Sequence, residues 1–224
     1  MRQAADASGV RIVTGDTKVV PRGKADRIFI TTSGVGVLEH DLVIHGANAR
    51  PGDRIILSGS MGDHGIAVMA AREGLPVEGL CSDSAPLWEL VEQMLEVAGA
   101  GIGVLRDPTR GGVATTRLEL ASQSGVTLQL EEDQLPIRPQ VQGVCGILGL
   151  DPLYVANEGK LLAIVAPELA ETLLARMRQH PLGHRAAIIG TVEAGEPGRV
   201  RLRTTVGGMR VVEMLAGEQL PRIC

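Results

Sequence analysis

Short apolar runs bounded by glycine, proline or charged residues alternate with helical patterns along most of the chain. Apolar runs and period-two alternation predict strands at 10–14, 26–38, 54–58, 102–105, 126–130, 161–165, 186–192, 200–204 and 209–212. Helical spacing predicts helices at 1–8, 66–72, 113–122, 139–148 and 168–178, and one more after the helix-start signal SDSAP at 82–86. The irregular alternation favours an α+β sandwich over a doubly wound parallel sheet.

The turn at 51–53 divides the chain into two parts, because a compact apolar strand follows it directly. We predict a first part at 1–45, an α+β domain at 46–215 and a flexible C-terminal tail at 216–224. The chain opens on a helix without an N-cap or an amphipathic lead-in, so we expect an interior piece of a longer protein.

Composition excludes several classes of protein. No apolar run approaches the roughly 20 residues that a membrane-spanning helix needs, and no signal-peptide pattern opens the chain. A net charge of −4 with one each of Phe, Tyr and Trp argues against nucleic-acid binding. Cys81, Cys145 and Cys224 form neither a disulfide framework nor a paired zinc motif, which predicts a cytoplasmic protein with free thiols.

The chain ends on a thiol, Cys224, at the end of a polar tail. An extended tail of nine residues spans roughly 30 Å, so it can carry a group bound to Cys224 between two places. A frayed terminus that happens to end in cysteine is the other interpretation, and the tail alone does not decide between them.

The strongest internal signal is the loop RDPTRGG at 106–112. Arg106 and Arg110 flank Asp107, and Gly111 and Gly112 stand where a helix begins. Backbone amides and guanidinium groups of such a loop bind phosphate oxygens, while the carboxylate holds a cation or orients a partner. In the alternative interpretation, the arginine and aspartate side chains only pair with each other.

Two further loops carry candidate groups. The Gly-rich residues 59–65 lie between a strand and a helix. They form either an anion site or a plain turn in which His64 is hydrogen-bonded. Glu158 lies directly before an apolar strand, which aims its carboxylate into a cleft or leaves it at an exposed turn.

Together these motifs resemble the hydrogenase maturation factor HypE family, the carbamoyl dehydratases. The resemblance covers essentially the whole chain and rests on GDTKVV at 15–20, SDSAPLW at 82–88, RDPTRGG at 106–112, DPLYVANEG at 151–159 and PRIC at 221–224. It implies the fold of the aminoimidazole ribonucleotide synthetase and selenophosphate synthetase superfamily. Residues 46–215 would then be its C-terminal α+β sandwich domain, and 1–45 the last strands of a ferredoxin-like, ATP-binding N-terminal domain.

The resemblance also implies an activity. The terminal cysteine of the family receives a carbamoyl group from the carbamoyltransferase HypF, and ATP-dependent dehydration turns it into a thiocyanate. The cyanide then passes through HypC and HypD to the iron of a nickel-iron hydrogenase. ATP and Mg²⁺ are the implied cofactors, and a homodimer is the implied assembly of the full-length protein.

Residue roles carry over at the matching positions. Cys224 is the modified thiol, Glu158 the candidate base that removes nitrogen protons, and Lys18 a cation that offsets phosphate charge. Asp16 would hold Mg²⁺ through the nucleotide, and Thr17 would bind phosphate. The remaining implied nucleotide contacts are Arg106, Asp107, Arg110, Gly111 and Gly112.

The chain departs from the family in two ways. Most of the nucleotide-binding domain has no counterpart, so we expect the chain alone to bind ATP poorly, and a non-catalytic carrier modified at Cys224 is the alternative function. The family usually continues with Leu, Asn and Glu after Thr116, whereas Arg117 and Leu118 precede the glutamate here.

Overall fold

A computed structural model describes residues 1–25 and 28–214 of the chain. These residues divide into two compact units, the first ending at Leu42 and the second beginning at Val43. Each unit is described by itself below.

The first unit contains one short helix, α1 (Arg2–Ala7), which ends where Gly9 adopts a positive φ of 66°. The strands predicted at 10–14 and 26–38 are wrong for the described residues, because none of them pairs with a neighbouring strand. Val13 and Val35 are 85% and 102% exposed. Apolar alternation indicates which side chains suit a sheet, but a strand also needs a partner for its backbone groups.

The second unit contains the other predicted strands, in one mixed sheet of seven among the described residues. They are β1 (Arg54–Leu57), β2 (Ile102–Arg106), β3 (Thr127–Glu131), β4 (Leu162–Val165), β5 (Ala187–Glu193), β6 (Arg199–Arg203) and β7 (Met209–Val212). Their order across the sheet is β2-β4-β1-β5-β3-β6-β7. Only the β3–β6 pair of these is parallel. The predicted α+β class is confirmed.

Five helices of the second unit are α2 (Asp63–Glu73), α3 (Trp88–Ala98), α4 (Gly112–Ser124), α5 (Pro139–Leu148) and α6 (Pro167–Gln179). The apolar face of α4 covers one side of the sheet and those of α3 and α6 cover the other, whereas α2 and α5 pack against each other in a separate apolar cluster. Ile55 and Ile56 are neighbours in β1 and therefore point to opposite faces. Ile55 belongs to the core under α4, whereas Ile56 belongs to the core under α3 and α6.

Four loops meet at one end of the sheet. Leu57 ends β1 opposite Leu162 and Ala187, and Arg106 ends β2 opposite Leu162. Four loops therefore lie at the same end of the sheet: the loop that follows β1, the loop between β2 and α4, the loop before β4 and the loop before β5. We call them the β1–α2 loop, the β2–α4 loop, the pre-β4 loop and the pre-β5 loop.

Arg117 lies in the core on the inner face of α4. It is fully buried, and its three guanidinium nitrogens find no hydrogen-bond partner within the described part of the chain. Val113 and Ala121, one turn before and after it, are core residues. Burial lowers the pKa of the Arg117 guanidinium to about 9, because the charged form loses hydration and gains no counterion.

Replacing this guanidinium by an apolar side chain should stabilise the fold. Arg117→Leu is expected to raise the free energy of unfolding at neutral pH by roughly 1–4 kcal/mol. The depressed pKa means that the unfolded chain holds more protons than the folded chain at pH values from about 9 up to the ordinary pKa of arginine. The destabilising effect of Arg117 is therefore relieved as pH rises through that range, and the advantage of the variant should shrink.

Urea unfolding at neutral pH and at about pH 10.5 measures both effects. Arg176→Leu on the half-buried side of α6 is the matched control, with an expected change within about 0.5 kcal/mol. Equal stability of Arg117→Leu and the wild-type chain would contradict the prediction, as would an advantage that grows with pH.

Candidate functional site

The buried carboxamide of Asn157 joins three of the four loops. Its Oδ1 accepts the backbone N–H of Gly62 at 2.7 Å, and its Nδ2 donates to the carbonyls of Pro108 and Val155 at 3.0 and 3.1 Å. Its own backbone N–H donates to Pro108 at 3.3 Å. The side chain is 0% exposed, so the β1–α2, β2–α4 and pre-β4 loops meet through hydrogen bonds that water does not replace.

Gly112 allows the second close contact between these loops. A Cβ at this position would lie 2.6 Å from the carbonyl oxygens of both Leu153 and Val155, so no other residue fits without a shift. Gly111, the N-cap of α4, and Gly112 both have positive φ angles, of 68° and 60°. The glycine pair predicted at a helix start is thus confirmed as an unusual turn that packs against the pre-β4 loop.

The charged residues of the β2–α4 loop lie at its surface. Arg106 donates to Asp107 at 2.7 Å, and its Nη2 lies 3.5 Å from Glu119. Arg110 is exposed and also has a partner. The pairing of arginine with aspartate, one of the two interpretations of this loop, is therefore present. Nucleotide binding by these three residues stays a prediction.

Asp83 braces the segment that carries Glu158. One carboxylate oxygen accepts the backbone N–H groups of Glu158 and Gly159 at 3.1 and 3.3 Å, and the other lies 3.3 Å from the ammonium of Lys160. The side chains of Asp83 and Lys160 are 4% and 10% exposed. A Cβ on Gly159 would overlap the backbone oxygen of Asp83. The brace therefore requires glycine between Glu158 and Lys160.

Glu158 has a fixed backbone and an unpaired side chain. The residue is half-buried, and its carboxylate makes neither a hydrogen bond nor an ion pair with the residues that the structure describes. A carboxylate held in this way remains available to a ligand or to a reacting proton.

Ser82 connects the Asp83 segment to the start of α2. Its Oγ lies 2.8 Å from His64 Nδ1 and accepts the backbone N–H of Ser84 at 3.1 Å. Because a hydroxyl both donates and accepts, this bond fits either tautomer of the His64 ring, whose other nitrogen is Nε2. That Nε2 is buried and has no hydrogen-bond partner in the described ranges. His64 is thus the hydrogen-bonded loop residue of one of the two interpretations.

The sequence signal at 82–86 was misleading in its detail. Leu87 is the N-cap of α3 and makes no side-chain cap bond, while Ser82 and Asp83 bind the neighbouring loops instead. Serine, aspartate and proline before an apolar helix are the residues of a cap, so the local pattern concealed their long-range role. Lys160 was the sequence signal for the role of Asp83, because a lysine that is buried next to a fully apolar strand needs a carboxylate partner.

Asp16, Thr17 and Lys18 lie in the first unit, outside any helix or strand. All three are exposed, and Asp16 Oδ1 accepts the backbone N–H of Thr17 at 2.8 Å. Among the described residues no cluster of three or more His, Cys, Asp or Glu side chains is arranged to hold a metal ion. Their roles in binding nucleotide and Mg²⁺ stay predictions.

The cysteines differ in their chemistry. Cys224 and the whole tail at 216–224 lie outside the described residues. Cys81 and Cys145 are free thiols, the first exposed and the second buried. Burial, with the Asp151 carboxylate, raises the pKa of Cys145 to about 11, so this thiol is protonated and unreactive near neutral pH.

The last described residues lie against the pre-β4 loop. The hydroxyl of Tyr154 donates to the carbonyl of Glu213 at 2.7 Å, and Arg210 of β7 donates to Asp151 at 2.8 Å. Burial and Asp151 raise the pKa of Tyr154, so its hydroxyl stays a donor near neutral pH. The chain therefore leaves its last strand on the loop that carries Glu158.

No helix in the portion covered by the structure is both long and apolar enough to cross a membrane.

Comparison with known proteins identifies relatives along the whole chain. A family model described as AIR synthase related protein, C-terminal domain, matches residues 50–203. The carbamoyl dehydratase HypE of Cupriavidus necator is 59% identical over 227 residues, which cover 100% of this chain and 64% of that protein. The chain thus spans a little under two thirds of that relative's length.

Solved structures agree with the sequence relatives. A hydrogenase maturation protein HypE in complex with ATP is 46% identical, with a TM-score of 0.88 over 99% of this chain and 68% of that chain. The HypE chain of a HypE–HypF complex is 45% identical, with a TM-score of 0.90 over 95% of this chain and 69% of that chain.

Removing the Asn157 carboxamide should loosen the loop junction. Asn157→Ala leaves the buried Gly62 N–H without a partner, so the free energy of unfolding is expected to fall by about 1–3 kcal/mol. Amide hydrogen exchange at Gly62 should accelerate more than exchange in the sheet. Asn48→Ala is the matched control, because its Nδ2 makes one exposed bond, to Val43. An unchanged Gly62 exchange rate would contradict the assignment.

Removing the Asp83 carboxylate should release the backbone of Glu158. Asp83→Ala is expected to speed amide exchange at residues 158 and 159 at least tenfold, because both N–H groups lose their acceptor. Asp53→Ala is the control, since its carboxylate also accepts a backbone N–H, that of Arg50, at the distant turn. Exchange that stays slow at both residues in Asp83→Ala would show that another group holds this segment.

Proposed function

The chain belongs to the HypE family of carbamoyl dehydratases, and we propose that it acts in nickel-iron hydrogenase maturation by dehydrating a carbamoyl group on Cys224. The thiol of Cys224 attacks the carbamoyl carbon: an S–C bond forms, the bond from that carbon to the donor breaks, the donor group leaves and the thiol proton is released. ATP then phosphorylates the carbamoyl oxygen. Loss of phosphate and of both nitrogen protons leaves a thiocyanate on sulfur, ADP and inorganic phosphate. The cyanide is the group that later reaches the hydrogenase iron.

One observation carries this proposal most directly. Asn157 draws the β2–α4 loop, the β1–α2 loop and the pre-β4 loop together beside the unpaired carboxylate of Glu158. Glu213, directly after the last described strand, accepts a hydrogen bond from Tyr154 of the same pre-β4 loop. A tail of nine residues, with a reach of roughly 30 Å, is long enough to return Cys224 to Glu158.

Glu158 is the proposed base for the nitrogen protons. Asp83 holds its backbone through two N–H groups, so the carboxylate starts from a fixed position and keeps its oxygens unpaired. A positioned carboxylate of this kind contributes typically 10²–10⁴-fold to a rate through proton transfer. Lys18 is the proposed cation that offsets charge on the transferred phosphate.

The nucleotide contacts proposed for the second unit lie at the start of α4. The N-terminus of α4 has no side-chain cap, and its Gly112 N–H already donates to the Thr109 carbonyl, so the amides that follow Gly112 are the ones proposed for a phosphate group. Arg106, Asp107 and Arg110 are exposed beside Gly111 and Gly112, and Asp16 and Thr17 are exposed in the first unit. Mg²⁺ binds one or two carboxylates plus phosphates, and Asp16 is the carboxylate proposed for it, where the ion would neutralise phosphate charge.

The partners follow from the proposed reaction. The relative solved with HypF supports a carbamoyltransferase as the donor of the group on Cys224. HypC and HypD are the proposed acceptors of the cyanide, in the cytoplasm. A homodimer is the proposed assembly of the full-length protein.

Intact-mass measurement with single variants tests the two roles separately. With ATP, Mg²⁺, carbamoyl phosphate and the carbamoyltransferase, Cys224→Ala should gain no adduct. Glu158→Gln should gain the carbamoyl group and lose water at least about 100-fold more slowly than the wild-type chain. Glu171→Gln on the exposed face of α6 is the control and should behave as wild type. A wild-type adduct that never loses water would overturn the dehydratase activity and favour a carrier.

A further inference from the structure

A polar cleft of about 280 Å³ opens on the side of the Asp83–Lys160 pair, between the β1–α2 loop and the pre-β5 loop. Its volume lies just below the range of pockets for drug-sized ligands, so it suits a smaller molecule. The lining residues with polar or charged side chains are Ser60, Ser82, Asp83, Ser84, Lys160, His184 and Arg185. None of the residues predicted to bind nucleotide lines it.

Lys160 is fixed at the base of this cleft. Its stem lies against Gly59, where an added Cβ would come within 2.9 Å of the Lys160 Cε. Its ammonium lies 3.3 Å from Asp83 Oδ2 and 3.4 Å from the carbonyl of Gly159. An ammonium has three N–H groups, so at least one donor remains for a ligand.

The charge on the cleft wall is positive. Asp83 is the one carboxylate that lines it, and this carboxylate is already bound by two backbone N–H groups and by Lys160. Arg185 is exposed at the rim and has no hydrogen-bond or ion-pair partner in the part of the chain that is described. His184 lies next to it, with Nδ1 donating to the Pro181 carbonyl.

We propose that this cleft is a binding site for a phosphate group. The guanidinium of Arg185 offers a planar fork that matches two phosphate oxygens, and the ammonium of Lys160 reaches a third from the buried side. The Ser84 hydroxyl adds a neutral donor that makes no other hydrogen bond within the described residues. The site lies in the second unit and does not depend on the proposed function.

The phosphate group has two sources, the free ion or a small phosphorylated molecule, and the chemistry of recognition is shared. A titration of the ¹⁵N-labelled chain at constant ionic strength separates them. Inorganic phosphate and glycerol phosphate serve as the probes. Acetate, a carboxylate anion, is the control for binding by negative charge alone. Saturable shifts of the Ser84, Lys160 and Arg185 amides with phosphate are the expected result. Tighter binding of glycerol phosphate would identify the phosphorylated molecule as the source, and tighter binding of inorganic phosphate the free ion.

Arg185→Gln should weaken phosphate binding about tenfold or more, because the charged fork is lost while a shorter, neutral polar side chain remains. Arg176→Gln on α6 removes the same charge outside the cleft and should leave the affinity unchanged. Ser84→Ala, at an exposed position, provides a second variant that does not disturb the buried ion pair. Equal affinities of Arg185→Gln and wild type would overturn the site, as would non-saturating shifts spread over exposed cations.

Discussion

A single buried carboxamide sets the geometry of the candidate site. The side-chain oxygen of Asn157 accepts a hydrogen bond from the β1–α2 loop, and its side-chain nitrogen donates to two backbone carbonyls. The residue is 0% exposed. Aspartate would turn lone pairs toward the carbonyls of Pro108 and Val155, and glutamine would displace the loops by one methylene. A buried polar group is stabilising only when its partners are satisfied, so few alternatives satisfy this position. The motif residues on either side depend on the junction for their positions.

Local signals were sufficient for most of the second unit. The helix predicted at 139–148 is α5 with the same bounds, because Pro139 favours a first turn and Gly149 ends the helix at a φ of 67°. The strands of the sheet were found to within about two residues for the same kind of reason. The first unit was not predicted as well, since a local pattern does not state whether a partner strand exists.

Site residues could be predicted where the sequence immediately around them already indicates their role. Gly111 and Gly112 were found from the loop pattern, and their positive φ angles explain why glycine stands there. Asp83 was not found, because its contact with Glu158 spans 75 positions and its own neighbourhood imitates a helix cap. Arg117 was noted as a departure from the family sequence, but only the three-dimensional packing shows that its charge is buried without a partner.

The Asp83–Lys160 pair binds the backbone of residues 158 and 159 on one side and lines the cleft on the other. Its burial explains how it can do both. Isolated, either charge would be costly at this depth, since a buried ion pair is favourable only when its remaining lone pairs and protons are bound. Asp83 Oδ1 meets that condition through the amides of residues 158 and 159, whereas Oδ2 accepts no hydrogen bond among the described residues and is balanced by the charge of Lys160 alone. Lys160 meets it partly, through the Gly159 carbonyl. Glycine at 59 and at 159 leaves space for the lysine stem on one side and for the aspartate backbone on the other. Lys160 lines the cleft, so the donor that its contacts with Asp83 and Gly159 leave over is available to a ligand there.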